Sequence, residues 1–161
     1  MHLKSLKITN FRKFGSENNT VEFVGSKDIY SKSPINIAPS TTLIVGKNNS
    51  GKTTITKALN KFLGKGGAFH ANDFNFIYLN SLLDEYKSGR FEKIPTIEFE
   101  VAVSINFDSD CDLVTNVAPF MNIENVQASE KERVFRVLLK YEVKEKGAVR
   151  AWLFKFNDYH R

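Results

Sequence analysis

The chain has 161 residues, of which 42% are hydrophobic and 12% aromatic, so one domain with a substantial core is expected and disorder is excluded by composition. No apolar run is long enough to span a membrane, and the first 14 residues lack the features of a signal peptide, which predicts a cytoplasmic protein without a membrane partner. The single cysteine, Cys111, excludes an internal disulfide and a thiolate metal cluster.

Positive charge is concentrated in the first part of the chain. Residues 1–66 carry 11 Lys and Arg against 3 Asp and Glu, whereas residues 67–161 carry 12 against 15. A basic surface attracts the phosphates of a nucleotide or of a nucleic-acid backbone. Taken alone, however, this charge favours an ordinary solvated lysine-rich face over a nucleic-acid surface.

Hydrophobic periodicity predicts the elements of the first half. Alternation at period two predicts a half-buried strand over residues 3–11, and a second short strand follows at 21–24. Residues 25–39 have the composition of a surface loop, and the β-branched run at 41–45 predicts a buried strand. A helix follows, and glycines from Gly64 onward end it. Its inward face is predicted to carry Ile55, Ala58, Leu59 and Phe62.

The second half is predicted to begin with a helix over residues 73–86, capped by Asp73. The residues predicted to face inward on this helix are Phe74, Ile77 and Leu82. Strict alternation over 97–107 predicts a strand with one buried face, and residues 135–143 and 149–156 are predicted to pair as an antiparallel hairpin.

Residues 46–53 read Gly-Lys-Asn-Asn-Ser-Gly-Lys-Thr and match the phosphate-loop pattern G-x-x-x-x-G-K-[ST] at every fixed position. The predicted strand before them and helix after them favour this interpretation over a simple Gly-Asn turn. Backbone N–H groups would surround phosphate oxygens at a helix N-terminus, Lys52 would reach the β- and γ-phosphates, and Thr53 would bind Mg²⁺. ATP and Mg²⁺ are therefore the predicted cofactors, and Lys52 is also the predicted catalytic residue. The predicted binding residues are Gly46, Lys47, Asn48, Asn49, Ser50, Gly51, Lys52, Thr53 and Thr54.

The segment Leu-Lys-Ile-Thr-Asn-Phe-Arg-Lys-Phe-Gly at 6–15, followed by the loop at 45–54, resembles the start of ABC-type ATPase heads of the SMC, Rad50, RecF and OLD group. His-Ala-Asn-Asp-Phe at 70–74 is similar to the OLD (overcoming lysogenization defect) branch, whose members join this head to a C-terminal Toprim nuclease and often serve in defence against phage. The resemblance implies an α/β P-loop NTPase fold, an ABC-type head lobe with a mixed and antiparallel sheet flanked by helices. It also places Arg12 near the nucleotide, although a solvated strand end explains this arginine equally well.

Such heads also carry a Leu-Ser-Gly-Gly signature and an apolar strand that ends in Asp-Glu, and neither is present. The nearest candidate, at 103–108, is followed by Ser109 and has the pattern of an exposed strand end. Residues 1–161 are therefore expected to be an incomplete N-terminal lobe that does not turn over ATP by itself. The resemblance further implies that the heads form a homo-oligomer and that the whole protein is an endonuclease that acts on DNA with other defence components.

Two other functions share the same loop: a DNA-repair head of the RecF or Rad50 type, and a non-catalytic scaffold that ATP brings together around a nucleic acid or a partner protein. A downstream Toprim pattern, a long coiled coil, or loss of the catalytic Glu would distinguish the three.

Weaker signals lie outside the loop. Asp108, Asp110 and Asp112 fall in a segment without steady periodicity, 108–129, and are interpreted as an acidic surface loop because a calcium loop would need a glycine and a terminal Glu. Gln127 is not assigned to γ-phosphate sensing, and His70 is interpreted as a solvated or capping histidine rather than a phosphate ligand.

Overall fold

The computed structural model describes residues 2–17, 19–24, 42–90, 93–106 and 132–143. The predicted loop at 25–39, the second hairpin strand at 149–156, the acidic run, Cys111 and Gln127 lie outside the described residues.

Four strands and two α-helices make up the regular structure of the described residues. In chain order they are β1 (His2–Thr9), β2 (Thr20–Glu22), α1 (Lys52–Phe62), a 3-10 turn (Ala71–Asp73), α2 (Phe76–Lys87), β3 (Thr96–Asn106) and β4 (Glu132–Glu142). The strands pair in the order β2-β1-β3-β4 as an antiparallel sheet. The α/β class and the antiparallel part of the predicted sheet are thus confirmed, whereas the predicted mixed pairing is not found among the described strands.

The chain divides into two compact units. The first comprises Met1–Leu6, Val21–Leu43 and Val101–Val137, and its described part contains segments of all four strands. The second comprises Lys7–Thr20, Ile44–Glu100 and Leu138–Arg161. Both described helices and the whole of 46–54 belong to the second unit, so the candidate site lies within one unit.

The second unit has an aromatic and aliphatic core. Phe11 and Phe99 are both fully buried, and their rings meet edge to face with centroids 5.0 Å apart. An aromatic pair in this geometry contributes about 0.5–1.5 kcal/mol beyond the area that it buries. Ile8 is also fully buried, which confirms the inward phase of β1 that the alternation predicts.

Helix α1 confirms the predicted inward face. Ile55 and Ala58 are buried, while Leu59 and Phe62 are half-buried. The helix ends at Phe62, and the backbone turns away at Gly64, which has a left-handed φ of 72°. This conformation is open to glycine and strained for other residues, so the predicted stop is also confirmed.

Helix α2 begins later than the sequence pattern predicts. The N-cap is Asn75, whose side chain accepts a hydrogen bond from the Tyr78 N–H at 3.0 Å, and not Asp73. Its buried residues are spaced i, i+3, i+4 and i+7, and they are Leu79, Leu82, Leu83 and Tyr86. Ile77 lies off this stripe and is 77% exposed, so its predicted inward orientation is wrong, whereas Phe74 and Leu82 are buried as predicted.

The buried strand predicted over 41–45 is not formed by the described residues 42–46, and the side chains of Leu43 and Val45 are 81% and 78% exposed. A strand needs a hydrogen-bonding neighbour, and the described sheet order includes none for this segment. Strand β3 also differs from its prediction of a single buried face, because Ala102 and Ser104 are buried along with Ile97, Phe99, Val101 and Ile105. The exposed strand end predicted at 103–108 extends beyond the described residues and stays a prediction. Strand β4 confirms the first strand of the predicted hairpin.

No helix among the described residues combines the length and the apolar character that a membrane span requires.

Candidate phosphate-binding site

The start of α1 has the properties of an anion-binding helix end. The helix begins at Lys52, and Gly51 precedes it as an N-cap with φ 100° that offers no side-chain hydrogen bond. The first turn contains no acidic residue. Because the first N–H groups of a helix have no intrahelical acceptor and the helix dipole is positive at this end, such a terminus favours an anion.

The two glycines of the loop are required for different reasons. At Gly51 the backbone is left-handed, and a Cβ would also lie 3.4 Å from the ring of Phe14. Gly46 has no such backbone conformation, but a Cβ there would lie only 2.9 Å from the Ser50 hydroxyl oxygen. The loop is thus curled so tightly that a side chain at position 46 would enter it, as a phosphate cradle requires.

Lys52 lies folded over this curled backbone. Its ammonium donates hydrogen bonds to the carbonyl oxygens of Gly46 at 2.5 Å and Lys47 at 2.6 Å. The Ser50 N–H donates to the Lys47 carbonyl at 3.2 Å, which closes the loop from the other side. The charge that is predicted to meet the β- and γ-phosphates therefore lies at the loop itself.

A depression of about 240 Å³ opens at the loop. The described residues that line it are Lys13, Asn48, Asn49, Ser50, Gly51, Lys52, Thr53 and Thr54. These residues provide ammonium groups, hydroxyls and helix N–H groups, all of which can donate hydrogen bonds to phosphate oxygens. Thr53 is exposed, and its hydroxyl is of the kind that binds Mg²⁺ beside a nucleotide. The residues present thus fit a magnesium nucleotide. Among the described residues, no group of three or more His, Cys, Asp or Glu side chains could hold a metal ion.

Lys13 is a residue of the site that the sequence analysis missed. Its ammonium donates to the Asn49 carbonyl oxygen at 2.5 Å, across 36 positions of the chain. The concentration of Lys and Arg in residues 1–66 indicated a phosphate-binding surface in general but did not single out Lys13. The loop pattern begins at Gly46 and gives no information on which distant residues pack against the loop.

Arg12 does not line the depression. Its Nε and Nη2 atoms donate to Oδ1 of Asp73 at 3.0 and 2.7 Å. Its place near a nucleotide stays a prediction. The side chain of His70 is exposed and also does not line the depression, while its backbone N–H donates to Oδ2 of Asp73 at 3.1 Å.

Asp73 is a buried carboxylate, only 2% exposed, where the sequence predicted a helix cap. Besides Arg12 and the His70 N–H, it contacts the ammonium of Lys61 at 3.2 Å. Burial raises the pKa of Asp73, but the hydrogen bonds from His70, Arg12 and Lys61 and the charge of Lys61 together lower this pKa below its ordinary value of 3.8. The carboxylate is therefore ionised at neutral pH, and its ion pairs persist there.

The sequence matches the family described as AAA ATPase domain over residues 1–158. It is also 46% identical, over 155 residues, to the Endonuclease GajA of Bacillus cereus (strain HuB5-5). This match covers 88% of the chain but only 22% of that relative, so the chain spans about a fifth of the relative's length. No solved structure matches the chain. The two matches confirm the resemblance to the ATPase part of the OLD family and imply a P-loop NTPase fold, and the chain belongs to the AAA ATPase domain family.

Proposed function

We propose that the chain binds ATP with Mg²⁺ through residues 46–54 and is the N-terminal lobe, of the ABC head type, of an OLD-like ATPase-nuclease. The similarity to Endonuclease GajA supports a whole protein that acts on DNA. The resemblance to the OLD group supports a role in antiphage defence, a homo-oligomer formed through the ATPase heads and work with other defence components. The composition and the N-terminal residues favour the cytoplasm as the place of this role.

The observation that carries the proposal is the geometry of the loop at the start of α1. Lys52 provides the charge that offsets the β- and γ-phosphates, and the N–H groups of the loop and the first helical turn bind phosphate oxygens. The hydroxyl of Thr53 would hold Mg²⁺, which would supply positive charge that offsets the charge of the phosphates.

The test is isothermal titration of the full-length protein with a non-hydrolysable ATP analogue and Mg²⁺. We expect Lys52→Ala to weaken binding by at least about tenfold, since a charge-assisted contact to phosphate is lost. Lys57→Ala is the matched control, because Lys57 is an exposed lysine on the same helix that does not line the depression. Unchanged affinity in Lys52→Ala would remove this lysine from the site and overturn the proposal.

A further inference from the structure

We infer that Lys13 is a second phosphate-binding cation of the nucleotide site and that Asp73 is the residue that positions it; this inference rests on the proposed function. Lys13 lines the same depression as Lys52, and its ammonium is held at the Asn49 carbonyl oxygen. None of the described lining residues is acidic. Two ammonium groups at one depression match a ligand with several negative charges, as a nucleoside triphosphate has.

Lys13 lies in a tight turn with an unusual backbone. The N–H of Phe14 donates to the carbonyl oxygen of Phe11 at 2.9 Å and closes the turn. Arg12, directly before Lys13, has a left-handed φ of 52°. This conformation is unfavourable for a residue with a side chain, and it persists where surrounding contacts hold it.

Those contacts come from the segment before α2 and act on Arg12 from three directions. The Arg12 N–H donates to the Asp73 carbonyl oxygen at 2.8 Å, and the Asn75 side-chain amide donates to the Arg12 carbonyl oxygen at 2.8 Å. The guanidinium makes its two hydrogen bonds to the Asp73 carboxylate. Backbone and side chain of Arg12 are therefore both fixed, and the direction in which the chain presents Lys13 is fixed with them.

The same carboxylate also reaches the helix that follows the phosphate loop. Its second oxygen contacts Lys61, which lies in the last turn of α1. Asp73 thus ties the turn that carries Lys13 to the helix whose first turn forms the anion site, without lining the depression itself. Loss of the carboxylate charge weakens both ties at once and leaves Arg12 with only its neutral hydrogen bonds to the Asp73 carbonyl and the Asn75 amide, so Lys13 is held less firmly at the loop.

The contribution of Lys13 is tested by titrating the full-length protein with Mg²⁺ and the non-hydrolysable ATP analogue. We expect Lys13→Ala to weaken binding about tenfold, Lys13→Arg to retain most of the affinity because the charge is kept, and the control Lys57→Ala to bind as the unmodified protein does. Wild-type affinity in Lys13→Ala together with weak binding in Lys52→Ala overturns this inference and leaves the proposed function intact. Wild-type affinity in Lys52→Ala overturns the proposed function itself.

The positioning role of Asp73 is tested by introducing Asp73→Asn into the unmodified protein and into Lys13→Ala. In the unmodified protein, we expect Asp73→Asn to weaken binding by about the same factor as Lys13→Ala does. In the Lys13→Ala protein, we expect Asp73→Asn to add less than about a twofold loss, because Asp73 acts through Lys13. A general structural role would weaken binding equally in both backgrounds and would overturn the assignment.

Arg12→Met provides a second variant in case Asp73→Asn unfolds, which circular dichroism at the titration temperature detects. It removes the guanidinium from Asp73 but leaves Lys61 beside the carboxylate. We expect the same pattern: a loss in the unmodified protein and little further loss in Lys13→Ala. An equal loss in both backgrounds would mean that the contact between Arg12 and Asp73 does not act through Lys13, and it would overturn the positioning role.

Discussion

Space at Gly46 limits the shape of the phosphate loop. Because Gly46 lacks a left-handed backbone, the cost of a side chain there is the close approach of its Cβ to the Ser50 hydroxyl, 2.9 Å in the structure. We expect Gly46→Ala to push Ser50 away and to weaken binding of the ATP analogue by about tenfold, with little change in the melting temperature.

The matched control for Gly46→Ala is the double variant with Ser50→Ala. It removes the oxygen that a Cβ at position 46 would meet, and the next contact, to the Ser50 Cβ at 3.6 Å, is an ordinary one. We expect the double variant to recover part of the affinity, measured by the same titration. Ser50→Ala alone shows what the loss of the Ser50 hydroxyl costs in affinity. If this single variant binds as the unmodified protein does and the double variant is as weak as Gly46→Ala, the close approach is not the cause.

Asp73 makes stability depend on pH. The folded-state pKa of Asp73 is below its ordinary value of 3.8, so its ionised form stabilises the fold above that pH and this contribution is lost as the pH falls through the folded-state pKa. We expect the difference in melting temperature between the unmodified protein and Asp73→Asn to be constant near neutral pH and to narrow below about pH 4. Thermal unfolding monitored by circular dichroism across this range is the measurement.

Asp84→Asn is the control for the pH experiment, because Asp84 is an exposed carboxylate on α2. We expect this variant to follow the unmodified protein at every pH. If the difference in melting temperature between the unmodified protein and Asp73→Asn is as large near pH 3 as near pH 7, the ion pairs of Asp73 are not the cause of that difference.

At the level of elements, α2 depends on one side chain for its start. The Asn75 side chain accepts from the Tyr78 N–H and is buried, while the first turn of the helix contains no acidic residue. We expect Asn75→Ala to lower the free energy of unfolding by about 1 kcal/mol, within the range of about 0.5–2 kcal/mol for lost N-caps. Urea denaturation at constant pH is the measurement.

Two comparisons separate the cap from the other contact of Asn75. Asn75→Ser keeps a capping oxygen but loses the amide that donates to the Arg12 carbonyl, so its loss should be smaller than that of Asn75→Ala. Ser81→Ala alters an exposed position of the same helix and should change stability by less than about 0.5 kcal/mol. Equal losses in Asn75→Ser and Asn75→Ala would place the stabilisation in the amide and not in the cap.

At the scale of the whole molecule, the described residues that line the depression include groups that can bind phosphate, and none of them is a carboxylate or a glutamine of the kind that turnover needs. The described residues that line the depression supply cations, hydroxyls and N–H groups, whereas hydrolysis also needs a group that orients or activates the attacking water. We expect the purified chain to release phosphate in a single-turnover assay no faster than its Lys52→Ala variant. Release well above that control would mean that the chain contains a complete site.

Local patterns in the sequence were sufficient to predict several elements and the curled backbone of the loop at 46–54. The helix face at Ile55 and Ala58, the inward residues of β1 and the glycine stop at Gly64 were all predicted and are confirmed, because each depends on neighbours within a few positions along the chain. The tight curl that the glycine spacing of the loop implies is likewise present at Gly46 and Gly51. These features follow from backbone periodicity and from the steric freedom of glycine.

Only the tertiary structure decided which distant residues meet. Arg12 and Asp73 are 61 positions apart, and no periodicity in either segment indicates that they pair. The sequence therefore suggested a helix cap for Asp73, where the structure has a buried carboxylate paired with a half-buried arginine. The contact of Lys13 with the loop is likewise between residues far apart in the chain. It depends on a turn whose residue Arg12 is bound by Asp73 and Asn75. In the segment 42–46, a local pattern predicted a strand that the structure does not form. An apolar β-branched run forms a strand only where another strand offers hydrogen bonds to it.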